Sequence, residues 1–290
     1  MDNGEAGRGF FEASCEPRQR RNTMNKNFEV TFLGTNGSCA YDNGKRSKYG
    51  TNTLCVAVKA GDEVIVLDAG TGICGVRDLP EYQSKRKHLF LSHYHMDHID
   101  GLLFYSDLFD PEIEINIYGP GDVQAILHDL IAPPLCPVGP EFFKASIKYH
   151  TIKPGDYLTL PGDIIVKTCK LSHPGGALGS RIEYGGKSFC YCVDVELSNH
   201  KDDADLAGFF RDLDLLILDA SFADGQVIPG WGHSCPKECA RWAAETGVGK
   251  LALYHYNYTM TDEEIDLMEK SAKEIFPNTF TAADYMQMDL

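Results

Sequence analysis

Apolar positions in this chain come in short runs punctuated by Gly, Asn, Asp and Pro. From Phe28 onward, β-rich stretches fall at 28–33, 53–58, 63–67, 88–91 and 113–118, then at 164–171, 181–193, 214–218 and 251–254. Within 181–193 the tetrapeptide Tyr184-Gly185-Gly186-Lys187 is a hairpin turn between two strands. Helical spacing of apolar residues appears at 99–107, 122–130, 236–245 and 262–275. The third of these is opened by Ser234, carries Pro236 in its first turn and is closed by Gly247. The pattern predicts an α/β fold of two mixed sheets with helices outside. The stretch 131–141 holds four prolines and can be neither helix nor central strand. Its apolar content suits a lid, a subunit contact or a plain surface connection. Residues 1–27, rich in Gly, Arg, Asn and Glu, read as a disordered tail ahead of one domain over 28–290. Because alternation begins only at Phe28, Met24 is an alternative start.

Composition narrows the class. Hydrophobic residues make up 43% of the 290 and every apolar run is broken by charge, so no membrane span is expected. The N-terminus lacks a basic-then-apolar leader, which points to the cytoplasm. The ten cysteines are scattered without paired spacing and are expected to be reduced. Cys190-x-Cys192 and Cys235-x-x-x-Cys239 read as small buried hydrophobes and not as zinc sites. A formal net charge of −15 opposes long polyanionic partners, because such binding needs a basic footprint. A small anion remains compatible if metal ions supply the local positive charge.

The chemistry concentrates after the strand at 88–91. His93, His95, Asp97 and His98 put four potential ligands into six residues at the exit of a buried strand. A loop leaving a strand can turn such side chains towards one point, and imidazole with carboxylate suits zinc, manganese or iron. His173, Asp194 and His255 each follow the C-terminal edge of a predicted strand. Asp68, after the run 63–67, is placed to accept the second ring N–H of a ligand histidine.

The order His-x-His-x-Asp-His, then His, Asp and His, resembles the metallo-β-lactamase superfamily, over roughly Phe28 to the C-terminus. The resemblance implies the αββα sandwich and two divalent ions, zinc first and manganese second. It implies that His93, His95 and His173 bind one ion, that Asp97, His98 and His255 bind the other, and that Asp194 bridges them. Asp194 argues against class B β-lactamases, which often carry cysteine at the bridging position. His95 argues against flavodiiron proteins, which carry Glu at the second position of the motif.

Within the superfamily the chain is similar to the RNase Z-like branch. Leu218-Asp219-Ala220-Ser221-Phe222 and Gly232-His233-Ser234 match stretches in which a histidine stabilises the departing oxygen and a carboxylate orients it, roles that fall to His233 and Asp219. No long Gly- and Lys-rich insertion of the kind that grips the tRNA elbow is visible. The text around 34–38, 49–53, 173–181 and 230–234 resembles smaller proteins of this branch. Those include cyclic-nucleotide phosphodiesterases, among them phage enzymes of the anti-Pycsar type.

The expectation is therefore a homodimeric phosphodiesterase opening 3′,5′-cyclic nucleotides to nucleoside monophosphates. The alternatives are tRNA 3′ processing, a cyclic ribose-phosphate diesterase, and a metal-dependent nucleotide-binding protein without turnover. Ser180 and Arg181 follow the His173 loop and are within chain distance of a phosphate, although Arg181 begins a strand.

Overall fold

The computed structural model describes residues 27–42 and 44–290. The tail assigned to 1–27, except Asn27, and the alternative start at Met24 lie outside the described residues. In chain order the strands are β1 (Phe28–Gly34), β2 (Cys55–Ala60), β3 (Glu63–Leu67), β4 (Arg86–Phe90), β5 (Glu114–Gly119), β6 (Ser146–Thr151), β7 (Tyr157–Leu160), β8 (Ile164–Leu171), β9 (Ala177–Tyr184), β10 (Lys187–Cys192), β11 (Leu215–Asp219), β12 (Lys250–Tyr254), β13 (Thr279–Thr281) and β14 (Met286–Asp289). The helices are α1 (Val123–Leu130), α2 (Ala204–Phe210), α3 (Pro236–Thr246) and α4 (Asp262–Lys273).

They form two seven-stranded sheets, β14-β1-β2-β3-β4-β5-β6 and β13-β12-β11-β10-β9-β8-β7. Each sheet is antiparallel in one half and parallel in the other. β14 to β3 alternate in direction while β3 to β6 run parallel. Likewise β7 to β10 alternate and β10 to β13 run parallel. This is the expected αββα sandwich. β3 (EVIVL) is buried at every position. It is covered on both faces, which is why Val64 to Leu67 read as an unbroken apolar run.

Between the sheets, Phe32, Val56, Ile65 and Phe90 pack with Val166, Ile182, Phe189 and Ile217. Leu216, Leu218, Leu251 and Leu253 turn outward onto Cys239, Ala243, Ile265 and Met268 of α3 and α4. On the opposite outer face, Val66, Leu89 and Ile117 meet Ile73, Leu102 and Leu127. Each such burial contributes about 1.5–3 kcal/mol. Among the described residues no helix is long and apolar enough to cross a membrane.

Four departures from the sequence reading have physical causes. No α-helix forms over 99–107; short 3₁₀ turns at Leu102–Phe104 and Ser106–Phe109 take its place. The Gly101 N–H bonds the Ala69 carbonyl and the Ala69 N–H bonds the His98 carbonyl, so this backbone is committed to the loop after β3. The third helix is capped by Cys235 and not by Ser234. The Ser234 hydroxyl instead donates to the Val195 carbonyl at 2.6 Å and accepts the Leu197 N–H at 3.0 Å. Strands β6, β7, β13 and β14 were not foreseen, because each lies at a sheet edge and is short or exposes part of its length. The seven-residue α2, capped by Asp203, is too short to show a helical period.

The nine cysteines among the described residues are free. Burial pushes the thiols of Cys190, Cys192, Cys235 and Cys239 above their ordinary range. The stretch 131–141 is a loop with Ile131 buried and Leu135 exposed.

Candidate metal centre

The parallel strands β3 and β4 of one sheet and β10, β11 and β12 of the other present their C-terminal ends at the same edge of the sandwich, and β8 ends there too. Asp68, the 93–98 loop, His173, Asp194, Asp219 and His255 all leave from those ends. Asp68, Asp194 and His255 adopt φ of 58°, 59° and 59°. Such left-handed backbone costs about 1–3 kcal/mol per non-glycine residue and is held by its surroundings. It turns each side chain abruptly off its strand and into the gap between the sheets.

Every ligand expected from the sequence is brought together here, with Asp68, Asp219 and His233 beside them. His93, His95, His173 and Asp194 each offer one ligand atom, all within 4.8 Å of one another, and so do Asp97, His98 and His255. A third group of Asp194, Asp219, His233 and His255 meets the same limit. Asp194 lies between the first two: Oδ1 is 3.4 Å from His173 Nε2, and Oδ2 is 2.9 Å from His98 Nε2 and 3.2 Å from His255 Nε2. Asp97 Oδ2 approaches His255 Nε2 at 3.4 Å and His98 Nε2 at 3.8 Å.

Four of the histidines, His98, His173, His233 and His255, commit Nδ1 to the protein. Asp68 accepts from His98 Nδ1 at 2.7 Å, from the Ser92 N–H at 2.7 Å, from the Ser92 hydroxyl at 2.8 Å and from the Tyr191 hydroxyl at 2.8 Å. His173 Nδ1 donates to the Gly232 carbonyl at 3.0 Å. His255 Nδ1 lies 2.6 Å from the Ser221 hydroxyl, which sits 2.9 Å from Asp219. His233 Nδ1 lies 2.6 Å from Asp219 Oδ2. These bonds leave Nε2 of His98, His173 and His255 facing Asp194 at the centre.

Ser92, Tyr191 and Ser221 were missed as functional residues, because a lone hydroxyl on or beside a strand carries no spacing signal. The Ser38 N–H, donating to Asp97 Oδ2 at 2.7 Å, was missed for the same reason. That loop requires Gly37, where a Cβ would stand 2.5 Å from the His255 ring.

His93 Nε2, His98 Nε2, His255 Nε2 and Asp194 Oδ2 are buried without a hydrogen-bond partner. Leaving such atoms unsatisfied costs about 1–3 kcal/mol each. Their convergence fits divalent cations, and the donor set of imidazole and carboxylate suits zinc or manganese. Electrostatics agree with this. Burial drives the His93 ring down to about 2, aided by the neighbouring His98. Burial also opposes a charged His98, but Asp194 and Asp68 outweigh it and raise the ring to about 10. Asp194 is held well below the carboxylate range by His255 and His98 despite its complete burial. A cation would displace the proton that His98 holds and meet His93 and Asp194 already deprotonated.

Arg181 does not reach the centre. It pairs with Glu183 at 2.7 Å and donates to the carbonyls of Phe209 and Arg211. Ser180 is buried within β9. Beside His93 and His95 opens a cavity of about 480 Å³, walled by Tyr94, Pro120, Ile126 and Pro174 with Lys170 at its edge.

Residues 63–256 match the β-lactamase superfamily domain, and the chain belongs to that superfamily of metallo-hydrolases. The chain is 25% identical to ribonuclease Z of Methanosarcina acetivorans, across 90% of this chain and 97% of that one. It is 28% identical to the probable metallo-hydrolase YhfI of Bacillus subtilis, across 86% and 93%. The crystal structure of YhfI superposes with a TM-score of 0.71 at 22% identity, covering 92% of this chain and all of that one. The short form of human tRNase Z superposes at 0.64 and 20%, covering 90% and 98%.

Proposed function

We propose that this chain is a two-metal phosphodiesterase. The observation that carries the reading is the set of four buried, partnerless ligand atoms beside a histidine held by its own carboxylate. His93, His95 and His173 would hold one ion and Asp97, His98 and His255 the other, with Asp194 between them. Bound there, a divalent pair supplies Lewis acidity and lowers the pKa of water to about 7. Asp97 and Asp194 cancel only part of the cationic charge, so the centre complements a singly charged phosphodiester. Asp68 and Ser221 hold the rings of His98 and His255 in place. His233, its pKa raised by Asp219 against the effect of burial, carries a proton towards the departing oxygen.

As to substrate, the relatives named ribonuclease Z support cleavage of RNA better than opening of a cyclic nucleotide, and RNA 3′ processing is the first reading. A 3′,5′-cyclic nucleotide is the second. It is favoured by the net charge of −15, which repels long RNA. It is favoured also by alignment length: the Methanosarcina comparison runs over 332 positions, more than the 290 residues here, so that enzyme carries insertions without counterpart. The comparison with YhfI runs over 259. A homodimer is part of either reading, with exposed Leu135 of the Pro-rich loop as a contact, and sedimentation across micromolar concentrations checks it.

The deciding experiment is product analysis of zinc- or manganese-loaded protein on a precursor tRNA and the four common cyclic mononucleotides, with Asp97→Ala as control. Trimmed tRNA alone establishes the processing nuclease, and nucleoside monophosphate alone establishes the cyclic-nucleotide enzyme. Silence on every substrate overturns the phosphodiesterase.

A further inference from the structure

Trp231 stands 60% exposed, unusual for so large an apolar ring, two residues before His233. Its backbone is nevertheless tightly held. Glu196, 3% exposed, accepts the N–H groups of Gly230 at 2.8 Å and Gly232 at 3.1 Å, one on each side of the tryptophan. The Trp231 N–H donates to the Ile228 carbonyl at 3.2 Å. The Gly232 carbonyl carries His173, and a Cβ at Gly232 would stand 2.3 Å from His173 Nδ1, so this turn lies directly against the centre. The Trp231 ring meets Phe222 edge-on at 6.4 Å, and Phe222 meets the His233 ring at 6.0 Å. A buried carboxylate is thus used to hold an exposed indole beside the residue that faces the departing oxygen.

We propose that Trp231 is the stacking platform for the base of the nucleoside whose oxygen departs, which makes it a determinant of specificity for nucleotides over simple phosphodiesters. This rests on the phosphodiesterase reading and holds for RNA or cyclic nucleotide alike, since every base offers a π-face. A fixed, exposed indole loses little freedom when a base covers it, and one such stack changes affinity by about 10- to 100-fold.

The chain has two tryptophans, and Trp242 lies half-buried against Phe210. In a Trp242→Phe protein all tryptophan emission therefore comes from Trp231. The test titrates this metal-loaded protein with adenosine 5′-monophosphate and with ribose 5-phosphate, neither of which is a substrate. We expect the nucleotide to quench the emission and the sugar phosphate to bind without quenching. By calorimetry, Trp231→Ala should lose about 10- to 100-fold in affinity for the nucleotide and none for the sugar phosphate, with Trp231→Phe in between. Equal affinity of Trp231→Ala and the parent for the nucleotide would overturn the platform while leaving the phosphodiesterase standing. So would emission that follows protein concentration and ignores nucleotide, which would make Trp231 a contact between copies. Failure of both ligands to bind would remove the platform and the phosphodiesterase together.

Discussion

At the scale of single residues, the centre depends on groups that never face it. Asp68 accepts four hydrogen bonds, and one fixes the His98 ring. Asp68→Asn keeps the shape but puts an NH₂ group opposite donors. We expect it to weaken zinc binding by about 10- to 100-fold, read by competition with a chromophoric chelator. His233→Ala should behave differently, lowering kcat by about 10²- to 10⁴-fold with zinc affinity within about twofold of the parent. Equal loss of zinc in both variants would place His233 among the ligands instead. These residues differ in how openly the sequence displays them. His93 to His98 stand out because four ligands in six positions are improbable otherwise, whereas Ser221 between Asp219 and His255 is one hydroxyl among many.

Among elements, legibility followed burial. Strands covered on both faces, such as β3, announced themselves as apolar runs, and the edge strands β6, β7, β13 and β14 did not. The helix expected over 99–107 failed although its apolar spacing was real, since Leu102 and Leu108 do enter the core. The spacing recorded which residues turn inward; it did not record that Gly101 must lie against Gly70, where a Cβ would sit 2.1 Å from the Gly70 carbonyl oxygen.

The same segment is anchored to β4 by the ion pair of Lys87 and Asp107, both buried, with Lys87 also over the Tyr105 ring. Asp107→Ala strands the ammonium group in the interior. We expect it to destabilise the protein by about 3–5 kcal/mol, measured by urea unfolding. The double variant Lys87→Met with Asp107→Ala should recover most of that loss, because the buried charge is then gone.

For the molecule as a whole, stability should carry a pH signature from Asp284. Burial pushes its carboxyl up to about 6, against the hydrogen bonds it accepts from Thr35 and Asn52. A carboxyl whose pKa is higher folded than unfolded binds more protons in the folded state. Its contribution is thus complete below about 3.9 and is lost as pH rises through about 6. The difference in unfolding free energy between the parent and Asp284→Asn should shift across that window and be flat above it. A flat difference throughout would mean that Asp284 is ionised in the folded protein.

The two sheets repeat one order, antiparallel strands followed by parallel ones, and the ligand set is divided between them. The 93–98 loop belongs to the first sheet, while His173, Asp194 and His255 arrive with the second. A chain still being synthesised therefore owns its densest cluster of histidines long before the groups that complete it exist. Hydrolytic power stays latent until synthesis has passed His255 and both halves have closed on each other. A ribosome that stalls midway releases a fragment without the complete ligand set, and not an unregulated hydrolase.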